Sequence, residues 1–419
     1  MQILYNLLTY LLFIPFTFYW IIKGIFNNSY LDKVWQRFGL GYQGFKKCIW
    51  IHAVSVGEVQ AVSPLILVLK KKFPQQKIVI TTATPTGASR VTKLFGDSVY
   101  HCYIPFEFPH AISSFLDSIN PVAAMIVETE IWPNLYRGCG VRKIPLILVS
   151  ARISPSSVPK YQKFLPLIQK TLSHGIIIAA QSKPDAHRFI KLGASSERTH
   201  VIGNIKFDIE NDDNLTKQGK EIRKKLFKDR PVWIAASTHE GEEKIILDTH
   251  HILLRNFPDL LLILAPRHPE RFSKVKTLIK NSSFNLISRT NYEKKAHNEV
   301  FLLDTMGEVT LFFAASDISF IGGSLVPIGG HNILEPAIQG LPIIVGPYFS
   351  NSEEVVNEFI KDDACLVVKN EAELAENISS LLCNSVEAKK MGQRGLRLIR
   401  KNKGSIERLL HLLNPILKV

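Results

Sequence analysis

The 419-residue chain predicts an α/β protein built from two Rossmann-like domains in tandem. Three observations carry this. Short β-rich runs alternate with helical stretches from Ile49 onward, the alternation pauses at a polar stretch over 210–214 that reads as a hinge or linker, and it restarts at Val232. Alternation on this scale implies parallel sheets with helices on both faces. Two such units imply a cleft between them, and ligands of open α/β sheets bind beyond the carboxyl ends of the strands.

The first element is different in kind. Ile3 to Ile22 carries no charge, and twenty residues at about 1.5 Å each match a bilayer core of about 30 Å. A cleaved signal fits poorly, because no basic region precedes the stretch and no small-residue cleavage site follows it. Lys23, Lys33 and Arg37 follow it, so the positive-inside bias places the rest of the chain in the cytoplasm. A spanning anchor over 1–24 is the expectation. An interfacial helix, favoured by Pro15, Asn6 and Thr9, and a buried core helix are the alternatives.

The first domain is expected over 25–208, with strands at 49–53, 78–83, 123–127, 146–149 and 176–180 and helices at 59–73 and 111–119. The second is expected over 209–419, with strands at 232–236, 260–265, 300–303, 318–321, 343–345 and 365–368; its last helices can pack back on the first domain. The 51 basic and 37 acidic residues give +14, a field that favours anionic partners such as a membrane surface or phosphorylated substrates. The basic residues form no aromatic-interleaved stripe, which argues against nucleic acid. Five scattered cysteines without a Cys-x-x-Cys pair argue against a disulfide framework or a zinc site.

Each motif has a bland reading beside its chemical one. Ser55 and Glu58 form a capping box as they stand. Glu58 can equally be a general base, since a helix N-terminus favours the ionised form that a base needs. His52 reads as a packed strand histidine. Glu128 and Glu130 follow an apolar run ending at Val127, and strand alternation would point both to one side, where one can serve the substrate while the other pairs with an arginine or caps a helix. Lys206 lies between the halves, either solvated or facing a developing negative charge. In the second half, Ser237 and Glu240 again look like a capping box, and Arg267 directly follows an apolar strand, suited to phosphate. The loop 304–308 follows another strand. Residues 322–336, GGSLVPIGGHNILEP, read as a glycine-rich loop that offers free amides to an anion before a helix. Asn332 and Glu335 there are either a cap or a grip on ribose hydroxyls.

Taken in order, HAVSVGE (52–58), ETEIWPN (128–134), GNIKFD (203–208), APRHPER (265–271), DTMGE (304–308) and GGHNILEP (329–336) resemble the 3-deoxy-D-manno-octulosonic acid (Kdo) transferases of lipopolysaccharide assembly. The likeness covers nearly the whole chain. It implies a GT-B fold and an inverting transfer of Kdo from CMP-Kdo to lipid IVA, without a metal or other cofactor, on the cytoplasmic side of the inner membrane. By motif match, Glu58 is the implied base, and Glu128 and Lys206 stabilise the transition state. Pro266, Arg267, Met306, Gly307, Glu308, Asn332, Ile333, Leu334 and Glu335 match the CMP-binding segments. Two rivals are weaker. An enzyme for nucleoside-diphosphate sugars would need more phosphate ligands than one arginine, and a glycolipid-binding protein would have no use for Glu58, Glu128 and Lys206 together.

Overall fold

A computed structural model describes residues 2–26, 28–209, 211–291 and 299–417. The chain divides into two compact units, Met1–Asp208 with Asn402–Val419, and Ile209–Lys401. The first holds a seven-stranded parallel sheet in the order β3-β2-β1-β4-β5-β6-β7. Its strands are β1 Cys48–His52, β2 Lys77–Thr82, β3 Tyr100–Tyr103, β4 Pro121–Val127, β5 Leu146–Ala151, β6 Ile177–Ala180 and β7 Thr199–Val201. Residues of β1 alternate between two cores, Cys48 and Trp50 on one face and Ile49 and Ile51 on the other. A central strand therefore reads as a continuous apolar run. Leu409 and Leu413 of the last helix, Ser405–Leu417, join the second of these cores. That helix is tied down by Asp208, whose carboxylate accepts the Gly404 N–H at 2.5 Å and the Ile406 N–H.

The second unit repeats the plan in the order β10-β11-β9-β8-β12-β13-β14. Its strands are β8 Val232–Thr238, β9 Leu261–Pro266, β10 Leu286–Ser288, β11 Val300–Leu302, β12 Ile318–Ile321, β13 Ile343–Val345 and β14 Cys365–Val367. Strand order reverses between β1 and β4 in one sheet and between β8 and β12 in the other. These are the topological switch points, where the loops leaving adjacent strands part and open a crevice.

Three sequence expectations change. The apolar N-terminus is two helices, Gln2–Leu11 and Phe13–Phe26, rather than one. Pro15 explains the break at Leu12, since it has no N–H for the Leu11 carbonyl and its ring would crowd that oxygen. Among the described residues, no helix is long and apolar enough to cross a membrane. Arg37, counted as a flanking charge, is buried instead. Its Nη2 donates to the Ala83 carbonyl at 2.8 Å, and its guanidinium lies 4.0 Å from the Trp20 ring centroid. Finally, the polar stretch expected as a linker starts a helix, because the Asp212 carboxylate accepts the N–H groups of Asn214 and Leu215 at the start of Asp213–Ile222. Glu210 lies outside the described residues.

Candidate active site

At the first switch point, β1 runs into helix Val56–Lys72. Ser55 caps that helix by accepting the Glu58 N–H at 3.4 Å, while Glu58 accepts the Val54 N–H at 2.8 Å and the Ser55 hydroxyl at 3.1 Å. The capping box is thus formed, yet the helix start does not keep the carboxyl acidic. Burial, reinforced by the nearby Glu128 and Glu130 charges, pushes it up to about 7 against the pull of those hydrogen bonds. Desolvation outweighs the helix N-terminus here. His52 is the packed histidine the sequence predicts, its Nδ1 2.8 Å from the Thr81 hydroxyl and its pKa lowered to about 4 by burial.

Glu128 stands one residue beyond β4 with φ 62, a left-handed conformation rare outside glycine. The turn means that strand alternation does not set its direction. Glu128 and Glu130 take different partners instead of acting as a pair. Glu128 accepts Lys206 Nζ at 3.1 Å on Oε1, and Arg152 Nε at 2.9 Å and Nη2 at 2.8 Å on Oε2. Burial works to raise its pKa, but the two cations outweigh it and the net shift is downward. Glu130 accepts the Trp132 indole N–H at 2.7 Å, and burial raises its pKa. Lys206 belongs to the first unit, on a short turn capped by Asn204. The helix after Trp132 is capped from elsewhere: Glu107, pushed up to about 8 by burial, accepts the Asn134 N–H at 2.7 Å.

At the second switch point the glycine loop departs from expectation. The amides of Gly323, Ser324 and Leu325 are not free for a ligand; they donate to the buried Glu242 carboxylate at 2.7, 3.0 and 2.9 Å. Glu242 also accepts the His239 N–H at 2.9 Å, so the cap involves Glu242 and not Ser237 with Glu240. Gly322 is required by close approach, since a Cβ there would lie 2.6 Å from the Ser237 carbonyl oxygen. The loop therefore sets geometry: it holds His331 with Nε2 2.8 Å from Nε2 of His239. An N–H···N contact fixes one ring as donor and the other as acceptor. Burial, then the His239 and Arg267 charges, lowers His331 to about 4.

Arg267 follows Pro266 at the end of β9, and its side chain makes no hydrogen bond or ion pair among the described residues. The neighbouring Arg271 is instead committed to the buried Glu243. Asn332 donates to Glu335 at 3.1 Å and accepts the Leu334 N–H at 3.1 Å. Burial raises the Glu335 pKa, opposed by Asn332 and Arg267. Ile333 and Leu334 are buried, which leaves only their backbone to meet a ligand. In the loop after β11, Met306 is exposed and Gly307 has φ 85. Glu308 is held by Arg289 Nη2 at 2.7 Å, which keeps its pKa low. Among the described residues, no group of three or more His, Cys, Asp or Glu side chains is placed to hold a metal ion.

Sequence reasoning missed Arg152, His239 and His331 as members of these clusters. The signal for Arg152 was present, since it directly follows the apolar run of β5, as Arg267 follows β9.

Residues 32–209 match the family model described as 3-deoxy-D-manno-octulosonic-acid transferase (kdotransferase). A 3-deoxy-D-manno-octulosonic acid transferase of Haemophilus influenzae is 40% identical over 94% of this chain and 93% of its own length. One from Rickettsia bellii is 31% identical over 99% of both. The fold, at 15% identity, is similar to a UDP-GlcNAc 2-epimerase of Neisseria meningitidis with TM-score 0.55 over 88% of this chain and all of that one. With the six motifs lying in order at the ends of, or in the segments that follow, β1, β4, β7, β9, β11 and β12, and with a near full-length relative at this identity, the chain belongs to the 3-deoxy-D-manno-octulosonic acid transferase family and is a glycosyltransferase enzyme.

Proposed function

We propose that the protein moves Kdo from CMP-Kdo to lipid IVA in lipopolysaccharide synthesis, by a single inverting displacement that needs no metal. The observation that carries this reading is Glu58, a carboxyl pushed up to about 7 at a switch point, beside an ionised Glu128 clamped by two cations. A base poised near the working pH has the best balance of ionised fraction and proton affinity. In the proposed step an acceptor hydroxyl attacks the anomeric carbon of Kdo as its proton passes to Glu58. The bond from that carbon to the CMP phosphate oxygen breaks, and its electron pair leaves with CMP. Lys206, positioned by Glu128, offsets negative charge that develops in the transfer.

The unpaired Arg267 supports phosphate binding on the donor side, where the leaving group gains a charge. Pro266, Met306, Gly307, Glu308 and the Asn332–Glu335 segment are the proposed nucleotide contacts. The exposed apolar N-terminal helices support work at a membrane, in this reading the cytoplasmic face of the inner membrane.

Glu58→Gln tests the proposal, because glutamine still serves in a capping box. Thermal stability is expected to survive, and Kdo transfer from CMP-Kdo to lipid IVA to fall by about 10²- to 10⁴-fold. Turnover near that of the wild type would remove Glu58 from the mechanism.

A further inference from the structure

Far from the catalytic cluster, the first unit carries a cavity of about 380 Å³. Lys77, which opens β2, and Tyr100, which opens β3, both line it, so it lies at the amino ends of these strands. Glu58, Glu128 and Lys206 follow β1, β4 and β7 at the carboxyl ends. At about 3.3 Å per residue, the six residues of β2 set the two edges on the order of 20 Å apart. The N-terminal helices also belong to the carboxyl edge. The Tyr10 hydroxyl lies 3.0 Å from Nδ1 of His110, which follows β3, and Gln2 donates at 2.9 Å to Asn134, which follows β4. The cavity therefore serves neither the reacting groups nor the apolar N-terminus.

Its walls combine apolar surface with positive charge. Phe45, Phe73 and Tyr100 supply the aromatic part, Phe45 and Tyr100 meeting edge to face at 5.2 Å between centroids. Lys70 and Lys77 line it against a single carboxylate, Asp97. Lys46 and Lys47 adjoin Phe45 in the chain, and Lys71 and Lys72 adjoin Lys70. The register of β1 on β2 pairs Cys48 with Lys77, which brings Lys47 to the same edge. Among the described residues none of these lysines forms an ion pair, and all but Lys70 are exposed. The last turn of a helix attracts cations, which accounts for Lys70, Lys71 and Lys72. It does not account for Lys46, Lys47 and Lys77, which lie on other elements.

This arrangement defines the chemistry of a partner. Clustered like charges repel one another, and a partner that brings carboxylates to them relieves the repulsion. A small anion filling the cavity would meet only Lys70 and Lys77. A chain with an apolar side chain in the cavity and carboxylates on both sides would meet the flanking lysines too. An apolar anchor in a pocket, ringed by polar contacts, is also how protein interfaces concentrate their affinity.

We infer that this end of the first unit docks an acidic segment of another protein, with one large apolar side chain seated among Phe45, Phe73 and Tyr100 and its acidic neighbours paired with the surrounding lysines.

The probe is a fluorescein-labelled synthetic peptide with glutamates on both sides of a central phenylalanine, titrated with the full chain and followed by anisotropy. The same peptide with alanine at its centre is expected to bind roughly tenfold more weakly. Lys70→Glu combined with Lys77→Glu is expected to weaken the phenylalanine peptide by about tenfold or more. Ser98→Trp fills the cavity and keeps its charges, and should make the two peptides bind alike. Melting temperature identifies a variant that has failed to fold, and the other then decides. Kdo transfer should stay within about twofold of the wild type in both, since neither change touches the catalytic cluster. Equal binding of the two peptides by the wild type would reduce the contact to charge alone and overturn the inference. So would wild-type binding of the phenylalanine peptide by a folded variant, or a tenfold loss of Kdo transfer in one. Displacement of the peptide from the wild type by vesicles of anionic phospholipid would assign the surface to the bilayer instead, and would overturn it as well.

Discussion

The Glu58 carboxyl accepts hydrogen bonds from the Val54 N–H and the Ser55 hydroxyl, and burial still pushes it up to about 7. Two consequences follow at the scale of this residue. A base must be ionised, so kcat/KM for transfer is expected to fall as pH drops through about 7, with an acid limb that Glu58→Gln abolishes along with activity. The stability consequence has the opposite sign. An unfolded glutamate titrates near 4.5 and the folded one near 7, so between these values the folded state binds more protons and stability falls as pH rises. Glu58→Gln carries no such penalty. It is expected to be more stable than the wild type at about pH 8, by on the order of 1–3 kcal/mol, and to lose this advantage near pH 5. Denaturant melts at the two pH values check this, and equal stability at both would mean that the site does not hold Glu58 protonated. The sequence shows the cap and the carboxylate together. It does not show the desolvation, which depends on chain far away in sequence, such as β4, which pairs with β1 and leads into Glu128.

At the scale of elements, residues 322–336 show how a correct motif can carry a wrong reason. The glycines are needed, but the loop amides serve Glu242, which lies about eighty positions earlier in the chain. No local pattern reveals such a partner. Glu242→Ala would leave four backbone donors without an acceptor in a buried setting. It is expected to lower stability by on the order of 3 kcal/mol or more. The same variant should weaken CMP binding, measured by calorimetry, because the loop also positions His331 and the Asn332–Glu335 segment. An unchanged melting temperature would count against this role. Strands divide along a similar line. Runs within the sheets, such as Ile49–Ile51 and Ile318–Ile321, are buried on both faces and stand out as apolar. The strands that sequence reasoning did not find, β3, β7 and β10, all lie at sheet edges. An edge strand pairs on one side only and is less enclosed, so Tyr100-His-Cys-Tyr103 and Thr199-His-Val201 need no apolar run to form.

For the whole molecule, the unusual feature is where apolar surface meets water. The helix Gln2–Leu11 has no buried residue, and Leu7, Leu11 and Ile14 are 65, 72 and 65% exposed. Exposed apolar surface of this extent marks an interaction site. The second helix is anchored to the first unit through Trp20 on the buried Arg37, so the apolar face is carried on the folded protein. An apolar face on a chain of net charge +14 combines the two attractions that hold a protein on an anionic bilayer. The sequence reveals the apolarity of this segment, while the break that Pro15 imposes divides it into two helices. Leu7→Glu combined with Leu11→Glu should therefore keep the fold, since neither side chain is buried. The double variant is expected to bind vesicles of anionic phospholipid roughly 10²- to 10⁴-fold more weakly, given about 1.5–3 kcal/mol for each of the two large apolar side chains that must leave the membrane. Sedimentation with vesicles measures this directly, and raised salt separates the two attractions, because it weakens only the electrostatic one. If the variant sediments like the wild type at both salt concentrations, the N-terminal helices are not the membrane contact. If binding vanishes at high salt in the wild type too, charge alone holds the protein to the bilayer and the apolar face has another partner.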